Sequence, residues 1–343
     1  MALPTIMHKN KIPAKNSSKN KKHKKSTPSK KRQQAVNPEE LINSDQLGPE
    51  QHGRVIAQYG ANLDIEDAQG KTWHCVSRRN LPKLVCGDNV LWQTAGQKIN
   101  VVTAQLPRSS LLARPDFNNR LKPVAANVDQ IFVVISIKPV FDEDLINRYL
   151  VASQLTKIPA LIIVNKADLL DKDTKRQVVD RLKIYENIGY KIIYTSTKEQ
   201  AGLSALVREL KNNTSIFVGQ SGVGKSSLIN ALIPDLDIRV GALSTASGLG
   251  KHTTTASILY RLASEGYLID SPGIREFGLG HIDQKQIAEG FIEFHQFIAQ
   301  CKFNDCTHIM EPHCAIISAV EAGLISRKRY ESYMRILKTL GNR

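Results

Sequence analysis

The sequence contains no long apolar run. Its longest apolar stretches, residues 131–137 and 161–164, are much shorter than the roughly 20 apolar residues that a membrane-spanning helix needs. No apolar segment follows the first methionine. We therefore expect neither a membrane span nor a secretory signal.

Acidic residues are absent from residues 1–38, which hold ten Lys and one Arg. This segment supplies 11 of the 15 net positive charges of the 343-residue chain. A polar segment of one charge buries too little apolar surface to offset its ordering entropy, so we expect residues 1–44 to form a disordered Lys-rich tail. Such a tail can be a solvated extension or an arm that neutralises nucleic-acid phosphates, and we favour the arm.

Cysteine is scarce, with five residues in the chain. An odd number of cysteines in a chain with no expected signal peptide argues against a disulfide framework. Cys301, Cys306 and Cys314 lie within 14 residues, together with His308. Three thiolates and one imidazole make a closed tetrahedral shell for one structural Zn²⁺ ion, with no position open for catalysis. His313 is an alternative fourth ligand, and four unrelated buried residues are the competing interpretation.

Short alternating segments punctuated by glycines predict β-strands at residues 53–59, 62–66, 72–76 and 89–94. Five or so short strands in about 60 residues are typical of a small β-barrel. We predict that residues 45–115 form an OB-fold, although the pattern also fits an SH3-like barrel. Residues 106–115 are predicted to be a linker.

Apolar strands alternate with amphipathic helices farther along the chain. The predicted strands are 130–137, 160–164, 191–195, 215–218, 258–262 and 266–270, and the predicted helices are 143–156, 173–188, 202–212 and 224–232. This alternation predicts a mostly parallel sheet with helices on both faces. We assign residues 116–280 to this domain and residues 281–343 to a helical zinc-binding domain.

The strongest motif is at residues 219–226, which match G-x-x-x-x-G-K-[ST] between a predicted strand and a predicted helix. Glycines let backbone N–H groups face phosphate oxygens, and the start of the helix adds partial positive charge. Lys225 is predicted to reach the β- and γ-phosphates, and Ser226 is predicted to ligate Mg²⁺. The predicted phosphate-binding residues are Gly219, Gln220, Ser221, Gly222, Val223, Gly224, Lys225, Ser226 and Ser227.

Two other motifs directly follow predicted strands. Asp270 and Gly273 form a D-x-x-G sequence, in which Asp270 is predicted to hold Mg²⁺ and Gly273 to approach a γ-phosphate. Residues 165–168 read Asn-Lys-Ala-Asp. An Asp carboxylate there can accept two hydrogen bonds from the guanine edge, and adenine lacks that donor pair. The predicted base-binding residues are Asn165, Lys166, Ala167, Asp168, Thr195 and Ser196.

Residues 250–255, Gly-Lys-His-Thr-Thr-Thr, lie between the phosphate-loop helix and the next strand. Either Thr253 or Thr254 can complete the Mg²⁺ shell when a γ-phosphate is bound. Many GTPases place a water-orienting Gln at the position that Ile274 occupies here, so another group or a partner must serve. His252 is the candidate catalytic residue, because an imidazole can orient or deprotonate water. A loop histidine without a catalytic part is the alternative.

The motifs are complete but rotated, because residues 165–168 precede residues 219–226 and residues 270–273 come last. A circular permutation explains this order, since domain termini often lie close together. With a barrel before them and a Cys/His cluster after them, the motifs resemble those of the circularly permuted, small-subunit-dependent GTPases of bacteria, the RsgA/YjeQ family. The resemblance covers residues 45–343.

The resemblance implies a multidomain α/β protein with an RNA-binding OB-fold, a circularly permuted P-loop GTPase domain and a helical zinc-binding C-terminal domain. It implies a cytoplasmic factor of late 30S maturation that binds the 30S ribosomal subunit, 16S rRNA and GTP or GDP, with Mg²⁺. Weak GTP hydrolysis raised by the subunit is implied as well, with the family's proposed catalytic His mapping onto His252. We expect no membrane partner and a monomer off the ribosome.

Two functions of other classes compete with this one. The first is an RNA-binding scaffold that holds GTP as a structural ligand, which Ile274 leaves open. The second is a P-loop ATPase or metabolite kinase, against which Asp168 argues.

Overall fold

The structure is a computed structural model that describes residues 47–95, 99–115, 120–233, 257–271, 282 and 284–341. Among these residues, no helix combines the length and the apolar character that a membrane span needs.

The N-terminal unit is a closed five-stranded barrel. Its strands are β1 (Gln51–Tyr59), β2 (Asn62–Glu66), β3 (Thr72–Ser77), β4 (Asn89–Ala95) and β5 (Ile99–Gln105). They pair in the order β1-β2-β3-β5-β4, and β4 pairs back with β1. Trp92, Leu63 and Ile65 fill the barrel with other alternate, inward-facing residues. The barrel and the crossover between β3 and β5 agree with the predicted OB-fold.

A two-stranded hairpin of β6 (Leu111–Pro115) and β7 (Leu121–Ala126) follows the barrel. The predicted linker over residues 106–115 is therefore wrong in its second half. Leu112 and Ala125 of this hairpin are buried in a core that they share with the parallel sheet. The strand forms through that tertiary contact, which a local sequence pattern does not show.

The central unit is built on a mostly parallel sheet, as predicted. Its strands are β8 (Gln130–Ser136), β9 (Ala160–Asn165), β10 (Ile192–Tyr194), β11 (Thr214–Val218), β12 (Ile258–Arg261) and β13 (Tyr267–Asp270). The order is β10-β9-β8-β11-β13-β12, and only the last pair is antiparallel. Helices α1 (Glu143–Thr156), α2 (Lys172–Asn187), α3 (Leu203–Leu210) and α4 (Lys225–Leu232) accompany it. The strands are buried on both faces, which gives two apolar cores.

The C-terminal unit is helical. It contains α5 (Gln284–Glu289), α6 (His295–Ile298), α7 (Ala315–Glu321) and α8 (Arg327–Gly341). In its core Phe291 stacks on Phe294, and Tyr333 meets both rings edge to face. This core also includes Val151 and Ala152 of α1. The C-terminal unit is thus packed directly on a helix of the central unit.

Candidate functional site

The turn between β11 and α4 has two positions that only glycine fits. At Gly219 φ is 142°, and an added Cβ would lie 2.1 Å from the carbonyl oxygen of Val134. At Gly224 φ is 93°, and an added Cβ would lie 2.3 Å from Asn165 Nδ2. Positive φ and close neighbours both exclude a side chain there. The turn delivers the chain into α4, whose first N–H groups have no partner within the helix and can bind phosphate.

Lys225 lies over this turn. Its Nζ donates to the carbonyl oxygens of Gly219 and Gln220, each at 2.7 Å. Burial raises the pKa of the Asp270 carboxyl, and the positive charge of Lys225 acts in the opposite direction. Because β11 pairs in parallel with β13, with Ile216 opposite Ile269, the end of β13 lies beside the phosphate-loop turn.

Asn165 joins three loops at the carboxyl ends of the parallel strands. Its buried side chain donates from Nδ2 to the carbonyl oxygen of Val223 at 2.9 Å and accepts from Thr195 Oγ1 at 3.2 Å. Backbone amide N–H of Ala167 donates to the carbonyl oxygen of Thr195 at 2.9 Å. A residue 58 positions before Val223 thus fastens the loops after β9, β10 and β11 together.

The remaining residues of this motif extend the same cluster. Ser196 is fully buried, and its Oγ donates to Asp168 Oδ1 at 2.6 Å. Lys166 Nζ donates to the carbonyl oxygens of Gly222 at 2.6 Å and Lys138 at 2.7 Å. These hydrogen bonds thus orient the Asp168 carboxylate and hold the aliphatic part of the Lys166 side chain beside the phosphate-loop turn.

Two neighbours of this cluster escape the motif analysis. Lys138 accepts the Lys166 bond, and Pro139 Cδ lies 3.6 Å from the position of a Cβ on Gly222. The available signal is their place just after β8, because ligands of open α/β sheets bind at the carboxyl ends of the strands. His252, Thr253, Thr254 and Gly273, by contrast, lie outside the described residues, as does Ile274.

Cys301, Cys306, His308 and Cys314 converge in the C-terminal unit, with all ligand atoms within 4.8 Å of one another. His313 is exposed and does not belong to this cluster, so His308 is the imidazole of the set. The cluster could hold a metal ion.

The distances within the cluster fit zinc. His308 Nδ1 lies 3.5 Å from Cys301 Sγ and 3.4 Å from Cys314 Sγ, and these two sulfurs are 3.9 Å apart. A tetrahedron with Zn–S near 2.3 Å and Zn–N near 2.0–2.1 Å has S···N edges of about 3.5 Å and S···S edges of about 3.8 Å. The donor atoms of Cys301, His308 and Cys314 therefore lie at the edge lengths of one face of a Cys₃His zinc shell, and Cys306 Sγ lies within 4.8 Å of each of them.

Side chains around the cluster hold its loop. Glu311 accepts from the N–H of Thr307, at 2.9 Å, and from the N–H of Ile309, at 3.0 Å. Tyr330 Oη donates to the His308 carbonyl oxygen at 2.8 Å, and Tyr333 Oη donates to that of Thr307 at 2.7 Å. Because both tyrosines lie on α8, the long C-terminal helix supports the metal-binding loop.

Comparison with known proteins decides the family. The family model described as RsgA GTPase matches residues 105–280. The small ribosomal subunit biogenesis GTPase RsgA of Ectopseudomonas mendocina (strain ymp) is 48% identical over 305 residues, which cover 88% of this chain and 89% of that protein. The protein of the same name from Haemophilus influenzae (strain PittGG) is 45% identical over 302 residues, 87% of each chain.

The chain belongs to the RsgA GTPase family. It is, as a member of that family, a GTP-hydrolysing enzyme. Solved structures agree. YjeQ from Thermotoga maritima superposes with a TM-score of 0.72 at 32% identity, over 86% of this chain and 100% of that one. YloQ, described as a circularly permuted GTPase, gives a TM-score of 0.69 at 29% identity, over 86% of this chain and 96% of that one. The predicted family and the predicted fold class are confirmed.

Proposed function

We propose that the cluster at the carboxyl ends of β9, β10 and β11 binds guanine nucleotide and that the chain hydrolyses GTP to GDP there. The observation that carries this proposal is the Asn165 side chain, which ties the loop of Asp168 to the phosphate-loop turn. Asp168 would accept from the guanine edge, Lys166 would cover the ring, and residues 219–227 with Thr195 and Ser196 would complete the binding residues. The rotated order of the motifs does not matter to this arrangement, because the loops meet at one edge of the sheet.

Lys225 neutralises charge on the β- and γ-phosphates in this proposal. Ser226 and Asp270, with Thr253 or Thr254, would hold the Mg²⁺ that accompanies GTP, and Gly273 would approach the γ-phosphate. Mg²⁺ would supply further neutralisation of the developing phosphate charge. His252 is proposed to orient the attacking water, since Ile274 has no group that can do so.

Zinc is proposed as the metal of the Cys301, Cys306, His308 and Cys314 cluster. Four protein ligands close the shell, so the ion would be structural and would stabilise a small unit with a limited core.

We propose that the partner is the 30S ribosomal subunit, bound through 16S rRNA in the cytoplasm during late maturation. The curated relatives carry the name of small ribosomal subunit biogenesis GTPases. On this chain, exposed Arg114 and Lys122 are directly opposed across the β6–β7 hairpin. Burial and the charges of Lys122 and Arg114 lower the pKa of Lys83 in the barrel. Like charges held this close disfavour the free protein and favour a polyanion such as RNA.

The decisive experiment is GTP hydrolysis titrated with purified 30S subunits. We expect turnover to rise and saturate with the subunit, and the protein to be a monomer without it. Turnover that does not change when the subunit is added would instead favour a scaffold that holds GTP as a structural ligand.

Guanine selection is tested separately by Asp168→Asn, which should shift preference from guanine toward xanthine nucleotides, because the Asn amide donates where the carboxylate accepts.

A further inference from the structure

Arg54 and Glu66 of the barrel contact the parallel sheet at the ends of β11 and β13 that lie away from the nucleotide site. We propose that Arg54 and Glu66 of the barrel are positioning residues, which hold β11 and β13 in register and thereby set Asp270 relative to Ser226. The inference rests on the proposed function, since it takes Asp270 and Ser226 as the residues that hold Mg²⁺.

Tyr267, the first residue of β13, is the centre of these contacts. Arg54 Cζ lies 4.5 Å from the centroid of the Tyr267 ring, and Tyr267 Oη donates to Glu66 Oε1 at 3.2 Å. Arg54 also donates from a terminal nitrogen to Thr214 Oγ1 at 3.4 Å. Thr214 is the first residue of β11 and is the register partner of Tyr267. Arg54 therefore bridges the starting residues of the two strands that lead to the nucleotide site.

The barrel itself orients both positioning residues. Arg54 Nε donates to Asn89 Oδ1 of β4 at 3.2 Å, which turns the guanidinium toward the sheet. Glu66 pairs in register with Thr72 of β3, and its Oε1 lies 3.7 Å from a terminal nitrogen of Arg261 on β12. The ion pair to Arg261 adds a contact to the strand that flanks β13 on its other edge.

Main-chain pairing and packing make the connection rigid. Ala57 of β1 pairs with Ile258 of β12, so the barrel and the parallel sheet form one 11-stranded sheet. Ile56 and Cys86 of the barrel lie in the same buried core as Ile269 of β13. A close-packed core transmits a displacement rather than absorbing it.

The consequence for the site follows from strand geometry. At about 3.3 Å per residue, Tyr267 lies roughly 10 Å along β13 from Asp270. β11 leads to Gly219 and then to Ser226 at the start of α4. A shift or twist of β11 relative to β13 changes the separation of Ser226 and Asp270. Residues that hold Mg²⁺ must keep a nearly fixed separation, because this ion demands near-ideal octahedral geometry.

The test is a Mg²⁺ titration of intrinsic GTP hydrolysis by the full chain without ribosomal subunits. Tyr267→Phe removes the hydroxyl that donates to Glu66 and keeps the ring beneath Arg54. Should Tyr267→Phe fold poorly, Glu66→Gln tests the barrel side of the contact: it removes the charge that pairs with Arg261 and replaces the carboxylate acceptor of the Tyr267 hydroxyl with a weaker amide oxygen. Tyr190→Phe is the matched control, because its buried ring also carries one side-chain hydrogen bond, from Gln154 Nε2, far from β13.

For Tyr267→Phe and Glu66→Gln we expect the Mg²⁺ concentration at half-maximal turnover to rise about three- to tenfold, which lies within the roughly two- to thirtyfold range of mutations that modulate a distant site. GDP affinity measured in EDTA should stay within about twofold, since uniform nucleotide binding is untouched. Tyr190→Phe should match wild type. A Mg²⁺ dependence equal to wild type in Tyr267→Phe and Glu66→Gln overturns the inference, and so does a loss of stability alone.

Asp270→Asn separates this inference from the proposed function. If Asp270→Asn leaves the Mg²⁺ dependence unchanged, the assigned Mg²⁺ site is wrong, and the inference is overturned with it. If Asp270→Asn shifts the dependence while Tyr267→Phe and Glu66→Gln do not, only the positioning role fails.

Discussion

Replacing Arg329 with Met tests how the C-terminal helical unit is held on the GTPase domain. The Arg329 side chain is fully buried and donates to both Glu293 oxygens, at 2.6 and 3.0 Å, and to Asn147 Oδ1 of α1 at 2.5 Å. Its guanidinium also lies 4.6 Å from the centroid of the Phe291 ring. Arg329 thereby joins α8 to α1 and to the segment before α6.

Met has nearly the volume of the Arg stem, so the expected cost arises from charge rather than from a cavity. Glu293, only 6% exposed, would be left buried without its cationic partner. Removing one member of a buried ion pair costs about 3–5 kcal/mol. Arg335→Met is the matched control on the same helix, because the Arg335 pair with Asp144 is 53% and 30% exposed. An exposed pair contributes about 0–1 kcal/mol.

Urea unfolding with two probes is the assay. Both tryptophans of the chain, Trp73 and Trp92, lie in the barrel, so fluorescence follows the barrel and helical circular dichroism follows the rest. We expect Arg329→Met to lower the urea midpoint of the dichroism signal clearly more than Arg335→Met does. Adding Glu293→Gln to Arg329→Met should recover part of the lost urea midpoint, because it removes the buried carboxyl group that has no partner. Equal effects of Arg329→Met and Arg335→Met, or no recovery in the double variant, would refute this account.

Three other expectations concern the sites. Asn165→Ala should weaken GDP binding at least about fivefold in calorimetry, since an unsatisfied buried partner costs about 1–3 kcal/mol. Asn213→Ala, which removes bonds to the Glu209 and Lys211 carbonyls at the end of α3, should leave GDP binding unchanged. Burial raises the thiol pKa of Cys306 to about 12 and raises that of Cys314, so zinc must displace protons from these thiols when it binds. Zinc affinity measured by chelator competition should therefore increase as pH rises from about 6 to 8, and an affinity that does not change with pH would contradict thiolate ligation. Lys122→Gln should lower the salt slope of rRNA binding by about 0.9, whereas Lys191→Gln, whose Lys pairs with Glu209, should leave it unchanged.

Much of the fold can be predicted from the amino-acid sequence. The predicted strands and helices of the central unit recur within a few residues, because buried strands and amphipathic helices have distinct periods. The positions of Gly219 and Gly224 follow from backbone geometry that other residues reach only with strain. The β6 strand was not predictable in this way, because Leu112 becomes buried only against residues far along the chain.

The sequence by itself determined the family, the rotated motif order and the chemistry of each motif, since these depend on residue types and local spacing. The tertiary structure settled the fourth ligand of the predicted set, because His308 joins the three cysteines whereas the alternative, His313, is exposed. It alone placed Asn165 against the carbonyl oxygen of Val223. It also joined the barrel to β12 and β13 through Arg54, Glu66 and Ala57. Contacts between residues distant in the chain arise from packing, and no local pattern encodes them.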